Sequence, residues 1–262
     1  MVLGRKKGTD FKFSFTPVRL TTGNIISKAR KAYEREGLVY LLRTGFEMSL
    51  GYFLVHYYKT FRSNDTFEFQ GTTYKYFFHA YCTTWRNERT VAVPIIWNLV
   101  RRFEEQNKKI LEVGNVLSYY FKVNHDILDK YEIMDGVIND DVIDFQPTKQ
   151  YDLIVSIVTL EHVGWSESPK DPAKVIRAFE SLKSLLSPGG QLVVVMGLGL
   201  NDQFDTSLRG KKIEFTDPRF MKHLKGYEWQ EATLEDVKDV KYDRTVPTAN
   251  AIVIGTLVLK NS

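Results

Sequence analysis

From residue 109 onward the chain alternates short apolar runs with stretches whose apolar residues recur every third or fourth position, and that alternation predicts its architecture. Ile110 to Val113 is a short apolar run that ends at Gly114, and His125 to Lys130 reads as a second extended segment. Gly136 to Ile138 begins a third. Tyr151 to Val158 is nearly continuous in β-branched and apolar residues, as parallel strands covered on both faces are. Asp171 to Leu186 places Val175, Ala178, Phe179, Leu182, Leu185 and Leu186 at helical spacing, with Pro172 suited to the first helical position and Ser187-Pro188-Gly189-Gly190 as the stop. Gln191 to Met196 predicts another buried strand, Pro218 to Leu224 a short helix, and Asn250 to Leu259 a last long strand. Strands alternating with helices predict an α/β fold on a largely parallel sheet.

Upstream the pattern is different. Phe11, Phe13 and Phe15 alternate, and from Ile25 to Phe61 apolar residues recur at helical spacing with a break at Gly37. The segment Leu38 to Tyr58 contains Arg43 and Glu47, and its charge-free part, from Met48, is about half of the ~20 apolar residues that span a bilayer. It predicts a helix that covers the sheet, contacts a subunit or lies in a membrane interface. Thr66 to Phe78 alternates aromatic residues around Gln70-Gly71 and predicts a hairpin. The connector that follows holds Arg86, Glu88 and Arg89, which either line a pocket as a buried clamp or form an exposed ion pair at a helix start. Through Pro94 it leads into a helix from Ile95 to Glu105. The expected division is therefore residues 1–94, a basic arm with helices and an aromatic hairpin acting as a lid or partner-binding extension, and residues 95–262, the α/β domain.

Composition changes this picture little. Hydrophobic residues make up 43% and charged residues 26% of 262, the balance of a globular protein. One cysteine, Cys82, excludes an internal disulfide and a cysteine-rich metal site, and fits a reducing, cytoplasmic setting. The polar, basic N-terminal residues do not read as a signal peptide. Residues 1–31 hold eight Lys or Arg against one acid, so the remainder of this +4 chain carries −3. A basic arm on a mildly acidic body can bind the phosphates of nucleic acid or of an anionic membrane surface, whereas the body itself has no basic excess that argues for a nucleic-acid partner.

Chemistry concentrates at the ends of the predicted strands. In an open α/β sheet ligands sit beyond the carboxyl ends of the strands, and a glycine at the first turn lets backbone approach a nucleotide-like group. Three pieces stand in order: Ile-Leu-Glu-Val-Gly at 110–114, Tyr-Asp-Leu-Ile-Val-Ser-Ile-Val-Thr-Leu-Glu-His-Val at 151–163, and Leu-Leu-Ser-Pro-Gly-Gly-Gln-Leu-Val-Val-Val at 185–195. Their order and spacing resemble the class I S-adenosylmethionine-dependent methyltransferases, over roughly residues 105–200. The resemblance implies a Rossmann-like methyltransferase fold: a mostly parallel sheet, a last antiparallel strand and helices on both faces, here with an N-terminal helical and hairpin extension.

It also implies roles. Glu112 would be the acid that orients the cofactor's amino-acid part, and Gly114 the glycine beneath the methionine portion. Asp129 would accept the two ribose hydroxyls, a task suited to a carboxylate, with Asp135 or Glu132 as replacements. Asp141 would contact the adenine amino group. Glu161 and His162 would stand where donor and acceptor meet, His162 as candidate base or the pair as a cap for the loop. His79 and His125 are expected to be structural, and no metal-ligand spacing occurs. The loop departs from the family's Asp/Glu-x-Gly-x-Gly-x-Gly, because Val116 and Ser118 replace its later glycines. A β-branched residue disfavours positive φ, so either the loop is rebuilt around Asn115 and holds S-adenosylmethionine, or the fold no longer binds it. The stretch to the second strand leaves room for about two helical turns. The resulting expectation is methyl transfer to an O or N atom of a small-molecule, glycan or lipid-linked acceptor. The alternative is a non-catalytic methyltransferase-like module serving as a partner or membrane-surface subunit.

Overall fold

The computed structural model describes residues 50, 51, 53–242 and 248–260. The basic arm, the alternating phenylalanines and the helical pattern before residue 50 lie outside them. A helix, α1, covers 53–61 and leads into the hairpin β1 (Thr66–Phe69) and β2 (Thr72–Lys75), which pair antiparallel as expected. Helix α2 (Arg89–Glu105) follows, then β3 (Ile110–Val113), β4 (Asp126–Leu128), β5 (Val137–Ile138), β6 (Tyr151–Ile157), α3 (Lys174–Ser184) and β7 (Leu186–Gly197). The chain continues through α4 (Asp202–Arg209), β8 (Arg219–His223), β9 (Trp229–Ala232), α5 (Leu234–Val237) and β10 (Ala251–Val258).

Eight strands form one sheet in the order β5-β4-β3-β6-β7-β10-β8-β9. The first five are parallel, and β10 enters antiparallel between β7 and β8. Strand periodicity divides the core in two. Ile110, Leu153, Val155, Ile157, Val193, Val195, Ile252 and Ile254 face the side covered by α2 and the hairpin. Leu111, Val113, Ile154, Leu192, Val194, Met196, Ala251 and Val253 face α3 and α4. Each such fully buried aliphatic side chain stabilises the fold by roughly 1.5–3 kcal/mol. Among the described residues no helix is long and apolar enough to cross a membrane.

Three predicted elements need correction. Residues 218–224 contribute a strand, β8, because Phe220 and Met221 bury on opposite faces while the backbone pairs with both β10 and β9. Helix α3 starts at Lys174, leaving Pro172 in the preceding turn. Helix α2 starts at Arg89 instead of Ile95, so the expected division at residue 95 falls within it. Pro94 is tolerated inside α2 because the carbonyl of Thr90, which would have met the N–H that proline lacks, instead accepts from Phe77 N at 3.0 Å. Thr90 Oγ1 donates in return to Phe77 O at 2.9 Å. The α2 start thus anchors the strand leaving the hairpin, whose Tyr76 hydroxyl also receives Trp229 N at 3.2 Å.

Candidate functional site

The site is assembled from the loops that leave the carboxyl ends of β3, β4, β5 and β6. The first loop carries Val116 and Ser118 in a conformation of its own. No α-helix follows β3, only a 3-10 turn at Leu117–Tyr119. Glu112 is fully buried and organises this turn: its Oε1 accepts Val116 N at 2.9 Å and Leu117 N at 2.8 Å. Its Oε2 lies 3.0 Å from Nε2 of His125, which is itself buried and stands 3.8 Å from Glu104 on α2. Val116 packs into the core beneath the loop, and Asn115 Oδ1 accepts the Ser118 hydroxyl.

Gly114 adopts φ +85°, and a Cβ placed there would fall 2.3 Å from Thr159 Oγ1. The close approach that glycine permits is therefore taken by a side chain of the β6 loop. That loop is held in an unusual conformation, since Val158, β-branched, has φ +50°. Positive φ at such a residue costs on the order of 1–3 kcal/mol and persists where the surroundings enforce it.

Asp129 ties the second loop to the first. Its Oδ2 accepts Asn115 N at 3.1 Å, and its Oδ1 accepts Tyr131 N at 2.9 Å and Glu132 N at 3.0 Å. A carboxylate has about four acceptor positions, so one remains beyond these three bonds. Glu132, weighed as its replacement, is buried, receives the Tyr119 hydroxyl, and is pushed above the usual carboxylate range by burial. Asp135 accepts none of the hydrogen bonds seen around Asp129.

Asp141 is held by two lysines, Lys174 Nζ at 2.5 Å and Lys130 Nζ at 2.7 Å, and both also reach Glu167. Burial opposes its charge, but the two lysines prevail and hold Asp141 down to about 2. Lys130, next in sequence to Asp129, bridges the second and third loops.

Beyond β6, Glu161 is fully buried and its Oε1 accepts Gly197 N at 2.9 Å, while Oε2 has no hydrogen-bond partner among the described residues. Burial pushes Glu161 up to about 8, against the opposing pull of the Gly197 N–H. His162 Nδ1 lies 3.1 Å from Ser166 Oγ, and burial, aided by Arg89, pushes the ring down to about 4. At neutral pH the acid is therefore protonated and the imidazole neutral. Glu88 Oε2 accepts Ala249 N at 3.1 Å, which fixes β10 against the start of α2.

The neighbouring connector supplies groups that periodicity did not single out. Tyr81 stacks on Tyr119 with ring centroids 4.1 Å apart, and Tyr120 OH lies 2.6 Å from Thr84 Oγ1. Cys82 and Thr83 both have positive φ, held in part by Asn87 Nδ2 donating to Cys82 O at 2.6 Å. A cavity of about 460 Å³ opens at the opposite, amino end of β3, lined by residues including Arg101, Glu104, Lys108, Asn124, His125 and Lys149. It lies away from the carboxyl ends, where ligands of open α/β sheets bind.

No protein-family model matches the sequence. No curated protein matches it either. Among solved structures, N-methyltransferase NodS from Bradyrhizobium japonicum WM9 is similar at 12% identity and TM-score 0.37, over 62% of this chain and 93% of that one. The sugar N-methyltransferase KedS8 from Streptoalloteichus sp ATCC 53650 gives 13% and 0.33, over 65% and 87%. TehB from Haemophilus influenzae gives 13% and 0.36, over 66% and 64%. What decides the architecture is this chain's own strand order, parallel through β7 with β10 inserted antiparallel. The fold is Rossmann-like, of the methyltransferase type. Within it Glu112, Gly114, Asn115 and Asp129 come together around one loop pair, Asp141 joins them through Lys130, and Glu161 with His162 lies in the adjoining β6 loop, near enough to Arg89 at the start of α2 to sense its charge.

Proposed function

We propose that the protein is an S-adenosylmethionine-dependent methyltransferase acting on an O or N atom of a small-molecule acceptor. The observation that carries this reading is the placement of Glu112, Asp129 and Asp141 at or beyond the carboxyl ends of three adjacent parallel strands, where a nucleoside would lie. The residues fit such a group: Asp129 keeps acceptor capacity for a ribose hydroxyl, and Asn115 Nδ2 is a buried donor without a hydrogen-bond partner among the described residues. When bound, the cofactor supplies an activated methyl group. The protein's share is alignment and, where the acceptor must lose a proton, a base. In this reading Glu112 fixes the loop from within, Asp129 and Asn115 hold the sugar side, and Asp141 with Lys130 borders the base. The neutral His162 presents its ring toward the acceptor, while Glu161 holds the loop beneath it.

A second reading, a module that keeps the fold without the cofactor, is favoured by Thr159 filling the space over Gly114 and by the double lysine pairing of Asp141. Isothermal titration of the full chain with S-adenosylhomocysteine separates the two. Micromolar binding, weakened at least tenfold by Asp129→Ala, is expected for the enzyme. Absence of heat at millimolar ligand leaves only the module.

A further inference from the structure

Arg89, the first residue of α2, is partly buried. Its Nη1 is out of contact with solvent, and among the described residues it has no hydrogen-bond partner and no carboxylate within ion-pair distance. The groups around it are Tyr120, Cys82 and Tyr81, with Glu161 and His162 close enough to sense its charge. Neither of those last two offers a counter-charge at neutral pH, and the carboxylate of Glu88 is turned to Ala249 N. A guanidinium nitrogen shielded from water without a hydrogen-bond partner is costly in any fold. The connector that builds this chamber keeps two consecutive residues, Cys82 and Thr83, at positive φ, which marks enforced geometry.

We infer that the Arg89 chamber binds a carboxylate carried by the acceptor, placing it against Tyr81 and Tyr120 and beside His162. The inference rests on the methyltransferase reading for the word acceptor, but the anion site itself stands on the chamber alone. A carboxylate suits it, because the guanidinium presents a planar fork that a carboxylate meets with two parallel hydrogen bonds. The ring walls add a face for the acceptor's apolar part.

The test uses benzoate as probe, with benzamide as its uncharged counterpart, titrated into the full chain with and without saturating S-adenosylhomocysteine. Benzoate is expected to bind at least tenfold more tightly than benzamide in both conditions. Arg89→Met should lose that preference while its affinity for S-adenosylhomocysteine stays within threefold of wild type. Arg89→Lys, which keeps the charge without the fork, should fall between and covers the case in which Arg89→Met does not fold. Equal binding of benzoate and benzamide, or a preference that survives Arg89→Met, overturns the inference. So does competition between benzoate and S-adenosylhomocysteine with loss of both in Arg89→Lys, because the anion would then be the cofactor's own. Arg89-dependent benzoate binding in a chain that ignores S-adenosylhomocysteine supports the anion site and removes the methyltransferase reading.

Discussion

Replacing Glu161 with Gln tests whether burial, not a charged partner, governs the polar groups beyond β6. The substitution keeps the shape and the acceptor for Gly197 N but removes the titration. Glu161 moves from 4.5 to about 8, so the native state retains a proton that the unfolded chain releases. The native state therefore binds more protons across that interval, and stability falls as pH rises from about 4.5 to about 8, then levels off. At about 1.4 kcal/mol per unit the full interval amounts to roughly 5 kcal/mol. His162 works in the opposite sense. Its folded value is depressed from 6.5 to about 4, so its contribution is present above 6.5 and is lost as pH falls. Wild type alone would show the two slopes partly cancelling, whereas the difference between Glu161→Gln and wild type isolates the acid. Urea unfolding at half-unit pH steps should show that difference rising by about 3 kcal/mol in favour of Gln between about pH 5 and 7.5. A difference that stays flat over this range would refute the account, because Glu161 would then ionise near the ordinary carboxylate value.

Three further substitutions probe the loops. Gly114→Ala should destabilise by ~3 kcal/mol in urea, since it combines a positive φ with a contact 2.3 Å from Thr159 Oγ1, and Thr159→Gly in the same chain should recover only the steric part. Lys174→Met, which strips Asp141 and Glu167 of their buried cation, should cost ~3 kcal/mol, whereas Lys130→Met at the more exposed partner should cost under ~1 kcal/mol. Because Asp141 is held at about 2, its contribution is present above 3.8 and fades as pH falls through 2, so Lys174→Met should unfold at a higher pH in an acid titration followed by circular dichroism. Thr90→Val should cost ~1 kcal/mol by removing the bond to Phe77 O, with faster amide exchange at Phe77 as a local readout.

The strands were legible from Ile110 onward because each buried strand repeats the two-residue alternation or the continuous apolar run that a covered sheet demands, and β3 and β6 have nearly the bounds expected. β8 is not legible, because Phe220 and Leu224 stand four apart, a spacing that so few residues cannot distinguish from a helix. The first six residues of α2 are hidden because Pro94 looks like a start signal, and only the contact with Phe77, 13 residues from Thr90, shows why it is tolerated inside. At the site, the carboxylates at strand ends could be picked out by type and position. Their engagement could not: nothing local reveals that Thr159 will lie over Gly114 or that Lys174 will reach Asp141 from 33 positions away. Arg86, Glu88 and Arg89 stand out in the sequence by density alone. Which of them lacks a counter-ion follows from long-range packing.

The paired bonds between Thr90 and Phe77, with Tyr76 secured to Trp229, bear on how the molecule can be divided. A fragment beginning at residue 95 would start within α2, lose the first six residues of that helix and uncover the apolar side chains that Phe67, Phe69 and Phe78 now shield. A piece that keeps these contacts must begin ahead of Thr66, because they join the hairpin to α2 on one side and to β9 on the other.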